Sequence, residues 1–227
     1  MYTFKGKKLL VFGDSIINGS GNGGIGVGEY LEEHLGFEMK KYCVGGARVG
    51  FFPNKNWMVE QIRDAVNTGE TADYIVFNGF TNDCNMGNGK TCDVPLGELT
   101  EGFDNFDIFS VQKEGSTFSN CFENIMHAFK KYFTDAKLLF VRPHNMGRRD
   151  DYFQQLYGER AVEICKKWGV AVADIYKDSD LNTFLPEHRD KYTADTYGWG
   201  TGDCTHPNAA GYLEKYMPLI EEAIKKL

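Results

Sequence analysis

Residues 8–15 read Lys-Leu-Leu-Val-Phe-Gly-Asp-Ser, an apolar run that stops at Gly13 and is followed by two polar residues. A short run that is apolar throughout is typical of a strand buried on both faces, and glycine followed by aspartate and serine is typical of a turn. We therefore predict a buried strand over Lys8–Phe12, with Ser15 just beyond its carboxyl end.

Similar apolar runs recur along the chain, and segments with helical periodicity separate them. Further strands are predicted over Phe37–Val44, Asp73–Asn78, Lys137–Arg142 and Val170–Asp174. Helices are predicted over Glu29–Leu35, Trp57–Val66, Thr117–Phe133, Phe153–Trp168 and from Pro207 to near Leu227. Such alternation indicates an α/β fold, a three-layer α/β/α sandwich around a central parallel five-stranded sheet. The length of 227 residues fits one domain over residues 1–227.

Two stretches, residues 84–116 and residues 176–205, show no clear periodicity. Long irregular segments in a compact domain are usually functional loops or disordered. Both stretches are therefore predicted to be loops, either functional lids or disordered segments.

The net charge of the chain indicates which kinds of partner are unfavourable. The formal net charge is −7, and the basic residues are scattered along the sequence. An acidic surface repels phosphate backbones and anionic lipids, so we expect neither nucleic acid nor membrane partners. No apolar run approaches the roughly 20 residues that a membrane helix needs.

The cysteines and the N-terminus favour a cytoplasmic protein. None of the six cysteines forms a Cys-x-x-Cys pair, so reduced thiols are favoured over a zinc site. The first apolar run is too short for a secretory signal, although a removed signal peptide would make the protein secreted. In that case Cys84 and Cys92, which lie in one loop, are candidates for a disulfide bond.

Unusual residue clusters follow four of the predicted structural units. Gly13–Ser15, Gly45-Gly46 and Gly79–Asp83 each directly follow a strand, and the loop of His206 comes after the fifth strand. In parallel sheets the ligands bind beyond the carboxyl ends of the strands. We therefore expect the four clusters to meet at one edge of the sheet.

The first cluster supplies a candidate nucleophile. A serine between a strand and a helix exposes its hydroxyl group, and the first N–H groups of the helix point at a bound anion. Gly-Asp-Ser alone is a weak signal, because the same residues also make a turn with a helix cap. Ser15 is therefore a candidate that needs a partner.

The sequence Asp203-Cys204-Thr205-His206 supplies that partner. A carboxylate three residues before a histidine can accept the Nδ1 hydrogen, which fixes the tautomer so that Nε2 faces the nucleophile. A polar loop that caps the last helix is the structural alternative.

Two further clusters supply donors for an oxyanion. Asn82 brings a carboxamide to the end of the third strand, and Gly46 brings a backbone N–H with no side chain in the way. Because two glycines are adjacent, Gly45 is an alternative donor.

Together these pieces resemble the GDSL, or SGNH, hydrolase family. The matching blocks are Gly13-Asp14-Ser15-Ile16, Val44-Gly45-Gly46-Ala47, Gly79-x-x-Asn82-Asp83 and Asp203-x-x-His206-Pro207-Asn208, in the order of the family and across nearly the whole chain. Ile16 replaces the usual leucine, and two residues rather than one separate Gly79 from Asn82.

The resemblance implies a flavodoxin-like sandwich and a set of roles. Ser15 would be the nucleophile, His206 the general base and acid, and Asp203 the residue that orients His206. The oxyanion hole would use the N–H groups of Ser15 and Gly46 and the side chain of Asn82. No metal and no organic cofactor would be required.

Four other residues are candidates for contact with the substrate. These substrate-binding candidates are Asp14, Asp83, Arg48 and Trp199. Arg48 lies near Gly46 in the sequence, and the ring of Trp199 offers a stacking surface for a sugar.

Two motifs compete with this interpretation. The stretch Gly21-Asn22-Gly23-Gly24-Ile25-Gly26 matches the dinucleotide pattern, but it begins about eight residues after its strand and we do not expect a nucleotide. His144 follows the fourth strand as a rival base without a carboxylate three residues before it.

The expected function is that of a serine esterase acting on short-chain esters, in particular acetyl esters of a carbohydrate. Alternatives with the same triad are a lysophospholipase, a thioesterase or an acyltransferase. A non-catalytic glycan-binding domain is the alternative of a different class. The expected partner is a small-molecule or carbohydrate ester, and the sequence leaves acyl length and oligomeric state open.

Overall fold

A computed structural model describes residues 3–87, 89–99, 107–109 and 115–227. Its sheet consists of β1 (Lys8–Phe12), β2 (Glu38–Lys41), β3 (Tyr74–Phe77), β4 (Lys137–Arg142) and β5 (Ala171–Asp174). All neighbours pair in parallel, in the order β2-β1-β3-β4-β5. The predicted α/β fold with a five-stranded parallel sheet is therefore confirmed.

The strand order places a crevice at one point of the sheet. The chain moves from β1 outward to β2 on one side, and then returns to place β3 on the other side of β1. Loops that leave β1 and β3 therefore diverge to opposite faces, which opens a crevice beyond their carboxyl ends. The candidate clusters after these strands lie at this crevice.

The helices form one layer on each face of the sheet. They are α1 (Ser15–Asn18), α2 (Val27–Leu35), α3 (Met58–Asn67), α4 (Phe118–Tyr132), α5 (Asp151–Lys167), α6 (Ile175–Asp178), α7 (Pro186–Tyr192), α8 (Ala209–Gly211) and α9 (Met217–Lys225). On one face α2 contacts α9, and on the other α4 contacts both α3 and α5. None of the described helices is long and apolar enough to cross a membrane.

The core is centred on the middle strands. Cross-strand partners Phe12, Phe77 and Phe140 lie in one row across β1, β3 and β4, and all three are fully buried. Phe129 of α4 packs on this row, with its ring centroid 5.1 Å from that of Phe77. This aromatic layer fixes α4 against the middle of the sheet.

The last helix differs from its prediction. The sequence predicts one helix from Pro207 onward, whereas the structure has α8, a π-helical segment over Tyr212–Tyr216 and then α9. Pro218 in the first turn of α9 lacks an N–H and its ring crowds the preceding turn. A widened π turn just before it accommodates the proline.

The two stretches predicted as loops are only partly irregular. Residues 176–205 contain most of α6 and all of α7, which begins at Pro186, a residue favoured in a first helical turn. In residues 84–116, Val94 and Ile108 are buried in the core, while residues 88, 100–106 and 110–114 lie outside the described residues. Cys84 and Cys92 are free thiols.

Candidate active site

The turn after β1 depends on Gly13. Its φ of 139° is unfavourable for residues with a side chain, and a Cβ atom there would lie 1.9 Å from Oδ1 of Asn78. Gln61 of α3 fixes the turn from both sides, because it accepts from the Gly13 N–H at 2.8 Å and donates to the Gly13 carbonyl at 2.9 Å. The direction in which the chain leaves β1 is thus set by buried side chains.

Asp14 caps the short helix that starts at Ser15. Its Oδ1 accepts from the Ile16 N–H at 2.9 Å and from Nδ2 of Asn78 at 2.8 Å, and its own N–H donates to Oδ1 of Asn78 at 3.0 Å. Asp14 is only 1% exposed. This position beneath Ser15 does not support the expectation that Asp14 contacts substrate, and indicates instead that it orients the turn.

Ser15, His206 and Asp203 form one chain of hydrogen bonds. Nε2 of His206 lies 2.9 Å from Oγ of Ser15, and Nδ1 of His206 lies 2.6 Å from Oδ2 of Asp203. Ser15 and His206 are 191 residues apart in sequence, so the fold brings this pair together. With Nδ1–H donated to the carboxylate, Nε2 is left as the acceptor of the serine proton.

The Asp203 carboxylate is buried and extensively hydrogen-bonded. Oδ1 accepts from the backbone N–H groups of Thr205 at 2.9 Å and His206 at 2.8 Å, and Oδ2 accepts from the Thr196 hydroxyl. Burial opposes ionisation, but the hydrogen bonds from His206, Thr196 and the backbone outweigh it and lower the pKa of Asp203 to about 2. Asp203 is therefore a carboxylate at neutral pH.

Gly21 allows the loop of His206 to approach α1. A Cβ atom at Gly21 would lie 2.8 Å from Cβ of His206 and 2.7 Å from the carbonyl oxygen of Pro207. The glycine-rich stretch that matches the dinucleotide pattern thus contributes a close packing position beside the candidate site.

Three candidate donors for an oxyanion belong to residues that line one cleft. Gly46 and Asn82 line the same cleft as Ser15. Nδ2 of Asn82 donates one hydrogen to the Ala47 carbonyl at 3.0 Å, which leaves its second hydrogen for the cleft. Within the part of the chain that the structure describes, the N–H groups of Ser15 and Gly46 have no protein acceptor. The three groups are thus available to bind an oxyanion.

The neighbouring glycine occupies a different position. Gly45 is absent from the cleft lining, and its carbonyl accepts from Nδ2 of Asn56 at 2.8 Å. Gly46, with a φ of 76°, faces the cleft. This geometry favours Gly46 over Gly45 as the donor.

Asp83 lies beneath the cleft. It is fully buried, and its carboxylate accepts from the N–H groups of Val49 at 3.1 Å and Gly50 at 2.8 Å. Burial raises the pKa of Asp83 to about 7, against the opposing effect of these two hydrogen bonds. Its position does not support substrate contact, and it connects the end of β3 to the segment after Gly46.

Arg48 is also occupied by protein groups. Nη2 lies 2.6 Å from Oδ2 of Asp93, and Nη1 donates to the Gly46 carbonyl at 3.0 Å. Arg48 is 6% exposed, so its charge is paired and largely shielded from solvent. The expectation that it binds an acidic group of the substrate is not supported, and the contacts indicate a brace on Gly46.

His144 is separated from Ser15. Its Nδ1 lies 2.7 Å from the hydroxyl group of Tyr216, and its side chain is fully buried. Burial lowers the pKa of His144 to about 3, so the ring is neutral at physiological pH. His206, and not His144, is the histidine that contacts Ser15.

The cleft above Ser15 has a volume of about 330 Å³. Its walls are mostly polar and are formed by Ser15, Gly46, Asn82, Asn85, Arg148, Arg149, Tyr197, Thr205 and His206. Asn85, Arg148 and Arg149 were not among the residues predicted from the sequence. The position of Arg148 and Arg149 in the loop after β4, at the same edge of the sheet, was the available signal.

Trp199 stands at the outer margin of the cleft. Its ring stacks on that of Tyr197, with centroids 4.7 Å apart and an interplanar angle of 23°. Trp199 is 57% exposed and Tyr197 is 49% exposed. Asp195 holds the loop by accepting from the N–H groups of Trp199 at 2.7 Å and Gly200 at 2.8 Å. The pair therefore presents an aromatic face to solvent next to the cleft.

Three supporting residues were not identified from the sequence. Gln61 and Asn78 fix the turn before Ser15, and Thr196 binds the Asp203 carboxylate. Of these three residues, only Asn78 had a feature in the sequence that pointed to it, because it is the polar residue that ends the apolar run of β3. In the described ranges, no group of three or more His, Cys, Asp or Glu side chains is placed to hold a metal ion.

Several solved protein structures are similar to this one over nearly their whole length. Similar solved structures include a protein from Lactobacillus plantarum, with 19% identity, coverage of 98% of this chain and 96% of that chain, and a TM-score of 0.69. A lipase/acylhydrolase from Enterococcus faecalis has 15% identity, coverage of 97% and 96%, and a TM-score of 0.61. A member of the lipolytic protein G-D-S-L family from Veillonella parvula has 14% identity, coverage of 97% and 99%, and a TM-score of 0.59.

These structural similarities establish the fold. No curated protein matches the sequence significantly. The model of the GDSL-like lipase/acylhydrolase family matches residues 11–213, a range that includes every block from Gly13 to His206. The resemblance inferred from the sequence is thereby confirmed, and the chain belongs to the GDSL-like lipase/acylhydrolase family, a family of esterase- and lipase-type hydrolases.

Proposed function

We propose that this protein hydrolyses short-chain esters, in particular acetyl esters of a carbohydrate, through an acyl-enzyme on Ser15. The observation that carries the proposal is the continuous hydrogen-bond chain from Ser15 through His206 to Asp203, with contacts of 2.9 Å and 2.6 Å. Membership of the GDSL-like lipase/acylhydrolase family supports ester hydrolysis as the reaction class.

In the first step, Oγ of Ser15 attacks the ester carbonyl while Nε2 of His206 takes its proton. The tetrahedral oxyanion is stabilised by the N–H groups of Ser15 and Gly46 and by the carboxamide of Asn82. When the intermediate collapses, the bond to the alcohol oxygen breaks and His206 protonates that oxygen. The acyl group is then bonded to Ser15.

In the second step, a water molecule attacks the acyl carbonyl and His206 accepts a proton from it. Collapse of the second intermediate breaks the bond to Oγ, and the proton returns from His206 to Ser15. Throughout, the ionised Asp203 stabilises the imidazolium and keeps Nδ1 protonated. The acid product and the free enzyme remain.

The lining of the cleft supports a short acyl group. None of the described residues that form it is aliphatic, and Tyr197 and His206 carry its aromatic rings. Each methylene group gains about 0.8 kcal/mol only where an apolar wall replaces water. A long acyl chain therefore finds little apolar surface to stabilise it next to Ser15.

The exposed aromatic pair supports a carbohydrate as the alcohol. Tyr197 lines the cleft, and Trp199, which stacks on Tyr197, continues the aromatic surface beyond the cleft. A flat aromatic surface with nearby polar groups suits the apolar face and the hydroxyl groups of a sugar ring. A substrate of this kind would place its ester over Ser15 and its ring against Tyr197.

The experiment is hydrolysis of p-nitrophenyl esters from acetate to palmitate by the wild type and by Ser15→Ala. We expect kcat/KM to be highest for acetate and turnover to fall by at least about four orders of magnitude in Ser15→Ala. The exposed Ser20, which follows α1, provides the matched control Ser20→Ala, which we expect to retain activity.

The outcomes separate the alternatives. If kcat/KM is highest for the long-chain esters, Ser15 remains the nucleophile, but the substrate is a long-chain lipid ester and not a short-chain ester. Folded wild-type protein without activity on any ester, including acetylated sugars, would contradict hydrolysis and favour a glycan-binding domain.

A further inference from the structure

Two arginines in the loop after β4, Arg148 and Arg149, line the same cleft as Ser15 and His206. The proposed acyl transfer to Ser15 assigns them no task, because its charges are handled by His206, Asp203 and the oxyanion donors. Two adjacent cations at the reacting centre of a protein with a net charge of −7 therefore need an explanation.

Neither arginine is paired with a carboxylate in the described part of the chain. In the ranges that the structure describes, no carboxylate lies within ion-pair distance of Arg148 or Arg149. Arg48, across the same crevice, is paired with Asp93 at 2.6 Å. Among the described residues, one arginine near the cleft therefore has a carboxylate as its counter-charge and two have none.

Arg149 is fixed in place by neutral groups. Its Nε donates to the Thr81 carbonyl at 2.7 Å, and Nη1 donates to the Arg148 carbonyl at 3.3 Å. Burial lowers the pKa of Arg149, and this effect outweighs the more distant negative charges that raise it. The guanidinium nevertheless remains charged, because the pKa of arginine starts far above neutral pH.

Arg148 is held by the aromatic pair. Its guanidinium carbon lies 4.3 Å from the ring centroid of Tyr197 and 4.9 Å from that of Trp199. A cation–π contact orients the guanidinium plane but leaves its N–H groups and its charge available. The side chain is therefore pre-organised at the margin of the cleft.

A purely structural role explains only part of these contacts. The bond from Arg149 to Thr81 braces the segment that leads to Asn82, but a guanidinium has five N–H donors and this brace uses one. Nη2 of Arg149 has no hydrogen-bond partner among the described residues, and it is not one of the buried polar atoms, so it is accessible to a ligand. Arg148 braces nothing comparable.

We propose that the substrate of this site carries an anionic group, a carboxylate or a phosphate, that Arg148 and Arg149 bind while the ester lies over Ser15. This inference rests on the proposed esterase function and narrows its substrate class. Guanidinium groups bind both anions with paired, charge-assisted hydrogen bonds. The acidic surface elsewhere repels such a substrate, and the two arginines provide a local positive field at the cleft.

The test compares charged and neutral esters of matched shape. 4-Acetoxybenzoate is set against methyl 4-acetoxybenzoate for an anion on the alcohol side, and monophenyl glutarate against phenyl pentanoate for one on the acyl side. 4-Acetoxyphenyl phosphate distinguishes phosphate from carboxylate. The measured quantity is the ratio of kcat/KM for the anionic ester to kcat/KM for its neutral partner, after subtraction of spontaneous hydrolysis.

We expect Arg149→Gln to lower this ratio by about tenfold or more for at least one pair, and Arg148→Gln to lower it by a smaller factor. Arg149→Lys, which keeps the charge, should restore part of the ratio. Lys130→Gln, which removes one exposed cation from α4, is the matched control and should leave the ratio unchanged.

A second measurement needs no variant. With wild-type enzyme and phenyl acetate as the substrate, we expect 4-hydroxybenzoate to inhibit competitively at concentrations where methyl 4-hydroxybenzoate does not. Equal inhibition by the two, or a ratio that stays constant in both arginine variants, would overturn anion binding. Inactivity of the wild type on every ester, neutral ones included, would instead mark failure of the esterase function itself.

Discussion

The two sides of the cleft are held in different ways. The floor consists of Ser15, Gly46 and Asn82, which lie just beyond the carboxyl ends of β1, β2 and β3. Buried hydrogen bonds from residues such as Gln61 fix this floor. The rim, consisting of Arg148, Arg149, Tyr197 and Trp199, comes from later loops and includes the most exposed aromatic groups near the site.

This difference implies that the floor and the rim have different functions. Groups that stabilise a transition state must be held rigidly before the reaction starts, and the floor meets that condition. Groups that recognise the remote part of a substrate contribute mainly to binding, and the exposed rim suits that task. Changes in the floor should therefore lower kcat, whereas changes in the rim should raise KM or alter selectivity.

The largest effect among the positioning residues is expected for Asp203→Asn. The amide can present its NH₂ group to Nδ1 of His206, which would stabilise the wrong tautomer and leave Nε2 unable to accept the proton of Ser15. We expect kcat for p-nitrophenyl acetate to fall by about four orders of magnitude at neutral pH. A decrease of less than tenfold would contradict the role of Asp203.

The same variant changes the acid limb of the stability curve. The pKa of Asp203 is about 2 in the folded protein, below the ordinary value of 3.8. The ionised carboxylate therefore stabilises the folded state above pH 3.8, and this stabilisation is lost as the pH falls from 3.8 towards about 2. Between about pH 5 and about pH 3 the wild type should lose roughly 1 kcal/mol more unfolding free energy than Asp203→Asn. Urea unfolding of both proteins at the two pH values measures this difference.

A smaller effect is expected for the floor donor Asn82. Removal of one oxyanion donor costs about 3 kcal/mol of transition-state stabilisation, so Asn82→Ala should lower kcat about a hundredfold with little change in KM. Asn85 lines the same cleft without a place in the donor set, and Asn85→Ala is the control. Equal kcat in wild type and Asn82→Ala would exclude Asn82 from the oxyanion hole.

The smallest effect is expected at the rim. Trp199→Ala removes half of the stacked aromatic pair, and we expect KM for an acetylated sugar to rise by about fivefold to tenfold while kcat changes little. Tyr152 is 66% exposed and stands outside the cleft lining, so Tyr152→Ala is the matched control. An unchanged KM in Trp199→Ala would remove the main support for a carbohydrate substrate.

The floor was predictable from the sequence because its residues follow strands directly. An apolar run that ends in Gly13-Asp14-Ser15 predicts both the strand and the position of the serine, and the rule for parallel sheets then brings Gly46 and Asn82 to the same edge. His206 comes from a longer loop, and it was identified because a carboxylate precedes it by three residues.

Of the rim, Trp199 was a candidate from the sequence, but the two arginines were not predictable, because contacts between residues far apart in sequence decide which arginine is paired with a carboxylate. Arg48 and Arg149 both follow strand ends, and nothing local distinguishes them. The difference arises from Asp93, which lies 45 residues beyond Arg48 and neutralises it. Asp83 shows the same limit, because its complete burial against Val49 and Gly50 depends on how two loops pack.

The most direct test of the central claim, that the floor performs the chemistry at Ser15, is covalent trapping with an alkyl fluorophosphonate followed by peptide mass spectrometry. The Ser15 oxygen should displace fluoride from phosphorus, and the account predicts a single adduct on the peptide that contains Ser15, which is absent in Ser15→Ala. An adduct at another residue, or no adduct on enzyme that is active toward p-nitrophenyl acetate, would contradict the assignment of Ser15 as the nucleophile.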